Sequence, residues 1–390
     1  MKKLLSLALV LVLALTCMSF ASAENDVMLG VILLHDEDST YDRNFIEAVR
    51  EAQVILGLSD DQIIIKRNIA ESNDVCETCA DLIDEGCNVI FADSFGHESF
   101  LLNSAKDYPE VQFCHATGTM AHTEGLDNFH DAFASIYEGR YIAGVAAGMK
   151  LNEIKAAGAL KGEVPMMGYV GAFTYAEIIS GYTAFYLGAK SVCPDVTMKV
   201  QFTGDWLNEM EEKNAAEALI AAGCDLISQH ADSMGVPTAC ENAGIPNVAY
   251  NAPNLETCPN TFIVSSRIAW APYFVYIVNC VKNGEAMEHD WSGNILTGSV
   301  CMSDVNENVA AAGTADVVNT LVEQFKNGEI KVFDTAKENF ITINGEPLTS
   351  YIIEGTYEAV YDGYFHESEF RSAPYFDIQI DGIELLNSMY

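Results

Sequence analysis

The stretch LIDEGCNVIFADSFG, from Leu82 to Gly96, is written a second time as LIAAGCDLISQHADS, from Leu219 to Ser233. Each copy runs from Leu-Ile through a helical end and a Gly-Cys pair into an apolar strand that stops on polar residues. Cys87 and Cys224 lie 137 positions apart. A helix with its following strand, repeated at that distance, predicts two βαβ sheets of similar build. The surrounding pattern agrees. Apolar runs at 28–34, 62–69, 88–92 and 111–116 alternate with helical patterns near 43–56, 74–86 and 97–107. After about residue 160 the rhythm restarts, with strands expected at 166–171, 198–203, 225–228, 247–250 and 261–265. Helices near 176–190, 208–222 and 234–243 fill the gaps. Past about residue 335 the pattern changes. Asn344-Gly345 is a hairpin signal, and eight aromatic residues between Tyr351 and Phe376 predict a β-rich extension packed on a lobe.

The N-terminus has Lys2-Lys3, an apolar run to about Leu15, and Ala21-Ser22-Ala23. This is the pattern of an export signal cleaved after residue 23, and the run is too short to span a bilayer. Cys17 invites a lipid anchor, but Ala14-Leu15-Thr16 match poorly the small residues that precede a lipidated cysteine. A periplasmic or cell-surface location is expected. The formal charge of −36 argues against nucleic acid or an anionic membrane surface as a partner. Eleven cysteines would normally suggest disulfides in an exported chain. However, Cys87, Cys114, Cys224 and Cys280 sit in or beside apolar runs, as small buried hydrophobes do, and Cys87 and Cys224 are expected to stay reduced in separate lobes. Cys76 and Cys79 have redox or zinc spacing without a second pair to complete it.

In open α/β sheets ligands bind beyond the carboxyl ends of the strands. That rule selects His35-Asp36 with Tyr41, then Ser94, Phe95 and Gly96, in the first series. In the second it selects Phe173, Trp206, His230, Asp232, Asn251 and, after a later strand, Trp270. Aromatics and neutral hydrogen-bonding groups dominate, which suits a flat ligand with polar edges. Trp270 and Phe173, aided by Tyr41, are expected to stack on it, with Asp232 and Ser94 at its edges. Glu138 and Arg140, at the start of a long helix, are expected to form an internal ion pair. No phosphate-binding loop, nucleophile elbow or zinc-protease motif is present, so no catalytic residue, metal or cofactor is expected.

DSFGHESFLLNSAKDYPEVQFCHATG followed by ASIYEGRYIAGVAAG resembles the basic-membrane-protein (BMP-type) family of ABC-transporter substrate-binding proteins. In the second half, IISGYTAFYLGAKSVCPDVTMKV, DWLNEMEEKNAAEALIAAGCDLISQHADS and WAPYFVYIV extend the resemblance, which covers about residues 27–300. The resemblance implies a type I periplasmic-binding-protein fold, two doubly wound lobes joined by three hinge strands. It also implies a purine base or nucleoside as ligand, capture by lobe closure, and delivery to an ABC permease by a protein that is expected to be a monomer. Ser39 stands where the family usually has a stacking aromatic. Asn251-Ala252-Pro253-Asn254 stands where many members have an aspartate. The expected layout is a signal peptide at 1–23, lobe 1 at 24–145 completed by about 265–320, lobe 2 at 146–264, and the extension at 321–390. Hinges are expected near 140–165, 255–265 and 290–310. The alternative from another class is an exported hydrolase of nucleosides or related small molecules.

Overall fold

The computed structural model describes residues 26–390, so the expected signal peptide and Cys17 lie outside the described residues. Five strands open the chain: β1 (Leu29–Ile32), β2 (Ile63–Lys66), β3 (Val89–Ala92), β4 (Gln112–Ala116) and β5 (Phe129–Ala134). Five more follow: β6 (Met166–Gly171), β7 (Thr197–Phe202), β8 (Leu226–His230), β9 (Asn247–Tyr250) and β10 (Phe262–Ile268). Then come β11 (Asp290–Gly293) and β12 (Val300–Met302). The first sheet has the order β11-β5-β4-β3-β1-β2, and the second β12-β10-β9-β8-β6-β7 with Ile383–Leu385 added beyond β7. Both are doubly wound, with the first strand inside and the second at one side. The one difference in direction is at the sixth strand: β11 runs parallel to β5, whereas β12 runs antiparallel to β10.

The repeated element has the same supports in both lobes. Asn88, just after Cys87, accepts the Met28 N–H at 3.0 Å through its side chain, and its own N–H bonds the Met28 carbonyl at 3.1 Å. Asp225, just after Cys224, does the same for Met166 at 3.1 and 2.7 Å. Each pairing fixes the entry of the neighbouring first strand. All ten cysteines among the described residues are free. Burial pushes the Cys87 thiol up to about 11 and the Cys224 thiol up to about 12, which makes both unreactive at neutral pH. Cys79 is likewise pushed up to about 12.

β5 is absent from the sequence reading because His130 and Asp131 interrupt its apolar run, FHDAFA, although all six residues are buried. The lobe boundaries also differ from those expected. The helix Ile136–Ala156 packs against Ala176–Val192 and β10, so it belongs to lobe 2, and the first crossover falls between Ala134 and Ile136. The chain returns to lobe 1 after Ile268 with the helix Ala271–Asn283 and β11, and crosses back between Gly293 and Val300. Only about 271–293 of the segment expected to complete lobe 1 therefore does so.

Residue 321 is no boundary either, since it lies inside the helix Thr314–Lys326, which packs on Ile136–Ala156. The extension beyond it contains three two-stranded hairpins, one turning at Asn344-Gly345. Its aromatics pack on one another, with Phe333 stacked on Phe376 at 4.5 Å. Strand Ile383–Leu385 ties it to lobe 2 alongside β7, and the Ser372 N–H donates to Asp290 of lobe 1 at 2.6 Å.

Candidate functional site

The carboxyl ends of β1, β3, β6, β8 and β9 face one another across the gap between the lobes and enclose a narrow cavity. The lobes are shut over it: the Thr40 N–H donates to the Asp232 carbonyl at 2.9 Å, and the Phe95 ring lies 5.2 Å from that of Tyr175.

Lobe 1 builds its wall from a capped helix and two strand ends. Ser39, in extended backbone, caps the helix Thr40–Leu56 by accepting the Asp42 N–H at 3.1 Å. That cap sets Asp42 in the first turn, where its carboxylate accepts the His35 N–H at 2.7 Å and faces the imidazole at 3.5 Å. Burial pulls the His35 pKa down, but the bond to Asp42 and its charge outweigh this and raise it. Tyr41 is pinned by its hydroxyl to the Asp93 carbonyl at 2.9 Å. Ser94 donates to Glu71 at 2.6 Å, and the same carboxylate oxygen accepts the Gly96 N–H at 2.9 Å.

Lobe 2 answers with Glu177, Trp206, His230, Asp232 and Tyr250. His230 bonds Glu177 at 3.3 Å and lies under the Tyr250 ring at 4.4 Å. Burial lowers its pKa, with Glu177 opposing in part. Asp232 is 6% exposed, and its carboxyl makes no hydrogen bond among the described residues. Burial first, then the nearby acids Glu212, Asp42 and Glu177, raise its pKa far above the carboxylate range. The Tyr250 hydroxyl and Thr117 Oγ1 are also buried without partners among the described residues. Buried polar groups left unpaired are costly, so the Tyr250 and Thr117 hydroxyls, beside the Asp232 carboxyl, mark where a bound molecule would place its own polar atoms.

Of the residues read from the sequence, Tyr41, Ser94, Phe95, Trp206, His230 and Asp232 line this cavity. Four do not. Trp270 is a core residue of lobe 1: it is fully buried, stacked on Phe45 at 4.6 Å and packed against Phe91, Phe133 and Tyr273. Phe173 stacks on Tyr175 at 5.1 Å and meets the edge of Trp206 at 5.0 Å, which puts it behind the wall. Gly96 serves through its N–H to Glu71. Asn251 has left-handed backbone (φ 61°) and turns to an outer groove, while Tyr250 before it points inward. The expected Glu138–Arg140 ion pair is absent as well. Glu138 accepts the Ile295 N–H at 2.9 Å. Arg140 is fully buried among the Tyr169, Phe185 and Tyr250 rings and donates to Ser228 at 2.8 Å and to the Ala249 carbonyl at 3.2 Å.

His35, which the strand-end rule also selects, and Tyr250, the last residue of the strand expected at 247–250, line the cavity as well. The rule does not select Asp42, Thr117 or Glu177. Asp42 and Glu177 lie in the first turns of helices that follow β1 and β6, a position that could have drawn attention to them.

Two similar sheets, three crossovers and a cavity closed between facing strand ends define a bilobal solute-trapping protein. The chain belongs to the family of PnrA-like ABC transporter substrate-binding proteins, whose pattern matches residues 30–336. A purine-binding protein of Brucella abortus is 29% identical over 320 residues, covering 80% of this chain and 85% of that one. A putative ABC transporter glucose-binding protein of Haloferax volcanii is 31% identical over 246 residues; the match spans 63% of this chain and 59% of the relative. The solute-binding protein of an ABC transporter from Aeropyrum pernix has the same fold, with a TM-score of 0.64 at 17% identity, covering 80% of this chain and 94% of that one. Proteins of this class work outside the cytoplasm, bind small molecules and partner with a membrane permease. No helix among the described residues is long and apolar enough to cross a membrane.

Proposed function

We propose that this protein captures a purine base or nucleoside between its lobes and presents it to an ABC importer. The observation that carries the reading is the unpaired, buried carboxyl of Asp232 in a cavity walled by Tyr41, Phe95, Trp206 and Tyr250. A planar base offers faces to aromatic rings and edge N–H and acceptor groups to a protonated carboxyl, which donates one hydrogen bond and accepts another side by side. The hydroxyls of Tyr250 and Thr117 supply donors for ring nitrogens or a carbonyl. No Lys or Arg lines the cavity, and Asp42, Glu177 and Asp232 do, so a phosphorylated ligand is disfavoured. The Brucella relative's name points to the same ligand class. Closure of the lobes expels water and strengthens each bond inside.

Mass spectrometry of the small molecule that survives purification, followed by calorimetric titration of adenine, guanine, hypoxanthine, their nucleosides and glucose, tests this. Tight binding of a purine that is recovered unchanged is the expected result. Binding of glucose with no purine bound overturns the ligand class, and turnover of a nucleoside overturns the receptor reading in favour of a hydrolase.

A further inference from the structure

Behind the lobe-1 wall lies a second polar cluster that the cavity does not use. Glu98 opens the helix Glu98–Asp107, His115 is on β4, and Asp131 is on β5. Glu98 is 3% exposed, and the other two are fully buried. One oxygen or nitrogen from each lies within 4.8 Å of the others.

One atom of each group is already engaged. His115 Nε2 lies 2.7 Å from the Ser94 carbonyl, which can only accept, so Nε2 carries the proton and Nδ1 keeps a lone pair. Glu98 Oε1 accepts the N–H groups of Thr119 and Met120 at 2.5 and 2.7 Å. Asp131 Oδ2 accepts those of Met120 and Ala121 at 3.0 and 2.9 Å. The other atom of each remains. His115 Nδ1 and Asp131 Oδ1 face each other at 3.8 Å, and neither has a hydrogen-bond partner among the described residues. Glu98 Oε2 has only a 3.4 Å bond from the Thr119 hydroxyl. Gly118 borders this space. A Cβ there would overlap Asp131 Oδ1 and come within 2.7 Å of His115 Nδ1.

Two buried acceptors aimed at each other are costly unless something positive lies between them. Clustered side chains, each held by a bond on one atom and keeping a lone pair on the other, are the arrangement of a metal centre with its outer shell in place. One imidazole and two carboxylates suit a first-row divalent cation such as Zn²⁺ or Mn²⁺. We propose that Glu98, His115 and Asp131 form a structural divalent-cation site. It would hold together the two segments, Ser94–Glu98 and Thr117–Ala121, that carry the lobe-1 wall. Ser94 is bonded to His115, and Thr117 follows it by two residues. The rival use of the same atoms is one proton shared between Glu98 and Asp131, both of whose pKa values are raised, chiefly by burial.

The test uses the full chain purified without a metal-binding tag. Elemental analysis gives metal per chain, before and after unfolding in chelator and refolding in metal-free buffer. Zn²⁺ and Mn²⁺ are then supplied in separate refolding arms. About one equivalent of one of them is expected, with a melting temperature about 2–5 °C above that of the metal-free protein. His115→Gln and Asp131→Asn should lose that equivalent. Substoichiometric metal in both wild-type arms, with unchanged melting, overturns the site and leaves the shared proton. Full retention of metal by both variants places the ion elsewhere and overturns it too. If the variants do not fold, the comparison of wild type with and without metal decides.

Discussion

Gly30 of β1 sits against Leu82 and the Cys87 sulfur, and Gly168 of β6 sits against Ile227, Leu219 and the Cys224 sulfur. A Cβ would stand 3.3 Å from one sulfur and 3.2 Å from the other. The two lobes thus reuse one packing solution, in which a helix end closes onto a bare patch of the first strand. Beyond the strand ends the likeness stops. Counted from the cysteines, Phe95 in lobe 1 corresponds to Asp232 in lobe 2, and Asp93 corresponds to His230. Both Phe95 and Asp232 line the cavity, one as a face and the other as a hydrogen-bonding edge. Asp93 is turned inward to accept the Leu34 N–H at 3.1 Å, whereas His230 forms part of the wall. The scaffold positions of the repeat are equivalent, and its chemical positions are exchanged, so that a ligand meets two different surfaces.

The cores differ too, and that difference is the most severe test. Lobe 1 is centred on Trp270 and Phe45, and lobe 2 on the buried cation Arg140 under three rings. Trp270→Ala and Arg140→Ala should each cost about 3–5 kcal/mol of stability, by leaving a large cavity or unpaired polar groups. Denaturant unfolding measures this. Ligand affinity of Trp270→Ala should stay within about fivefold of wild type; a large loss of affinity at unchanged stability would return Trp270 to the site.

Next in size is a pH effect local to lobe 2. Glu212 accepts the Ser233 N–H at 3.2 Å, as Glu71 holds Ser94 and Gly96 in lobe 1, but Glu212 is fully buried. Burial raises its pKa from the usual 4.5 to about 7. Between those values the unfolded chain has released a proton that the folded chain keeps, so this group's contribution to stability falls as pH rises. His97, His115 and His130, lowered to about 4 by burial, act in the opposite direction. The comparison is therefore made as a difference: Glu212→Gln should gain on wild type by up to about 3 kcal/mol between pH 4.5 and 7. A constant difference across that window would contradict the buried, protonated state.

A smaller effect separates the two strand-end acids. Asp232→Asn should weaken binding of the preferred purine by about 5- to 150-fold, corresponding to roughly 1–3 kcal/mol for polar groups of the ligand left without a matching partner. Asp93→Asn should lower the melting temperature with little change in affinity, because its carboxyl serves the fold. Calorimetry and melting of both variants show whether the roles are divided in this way. Smallest of all, Gly30→Ala and Gly168→Ala should each cost about 1–2 kcal/mol by overpacking, Gly30 against Leu82 and Gly168 first against Ile227, 2.5 Å from the new Cβ, and then against Leu219. Unequal losses would show that the two packing sites are less alike than their geometry.

Tyr41, Ser94, Phe95, Trp206, His230 and Asp232, which the strand-end rule selects, line the cavity because sheet topology dictates where a strand's last residues emerge. The rule failed at Asn251 and Trp270 because emergence does not set direction. One residue of shift reverses a side chain, so Tyr250 enters the cavity and Asn251 leaves it. Trp270 follows a strand of lobe 2 but sits at the start of a helix of lobe 1, on the far side of a crossover that the strand rhythm could not locate.

The Gly-Cys repeat, the two alternating series of strands and helices, and the Asn-Gly hairpin were legible from sequence alone, because apolar periodicity and turn chemistry act over a few residues. Other features were decided only by tertiary structure. These are the crossover points, the burial of β5 despite its His and Asp, the fate of Arg140 without an ion pair, and the meeting of Glu98, His115 and Asp131. Each depends on which distant groups come close enough to remove water from a polar side chain, and neither spacing nor composition carries that information.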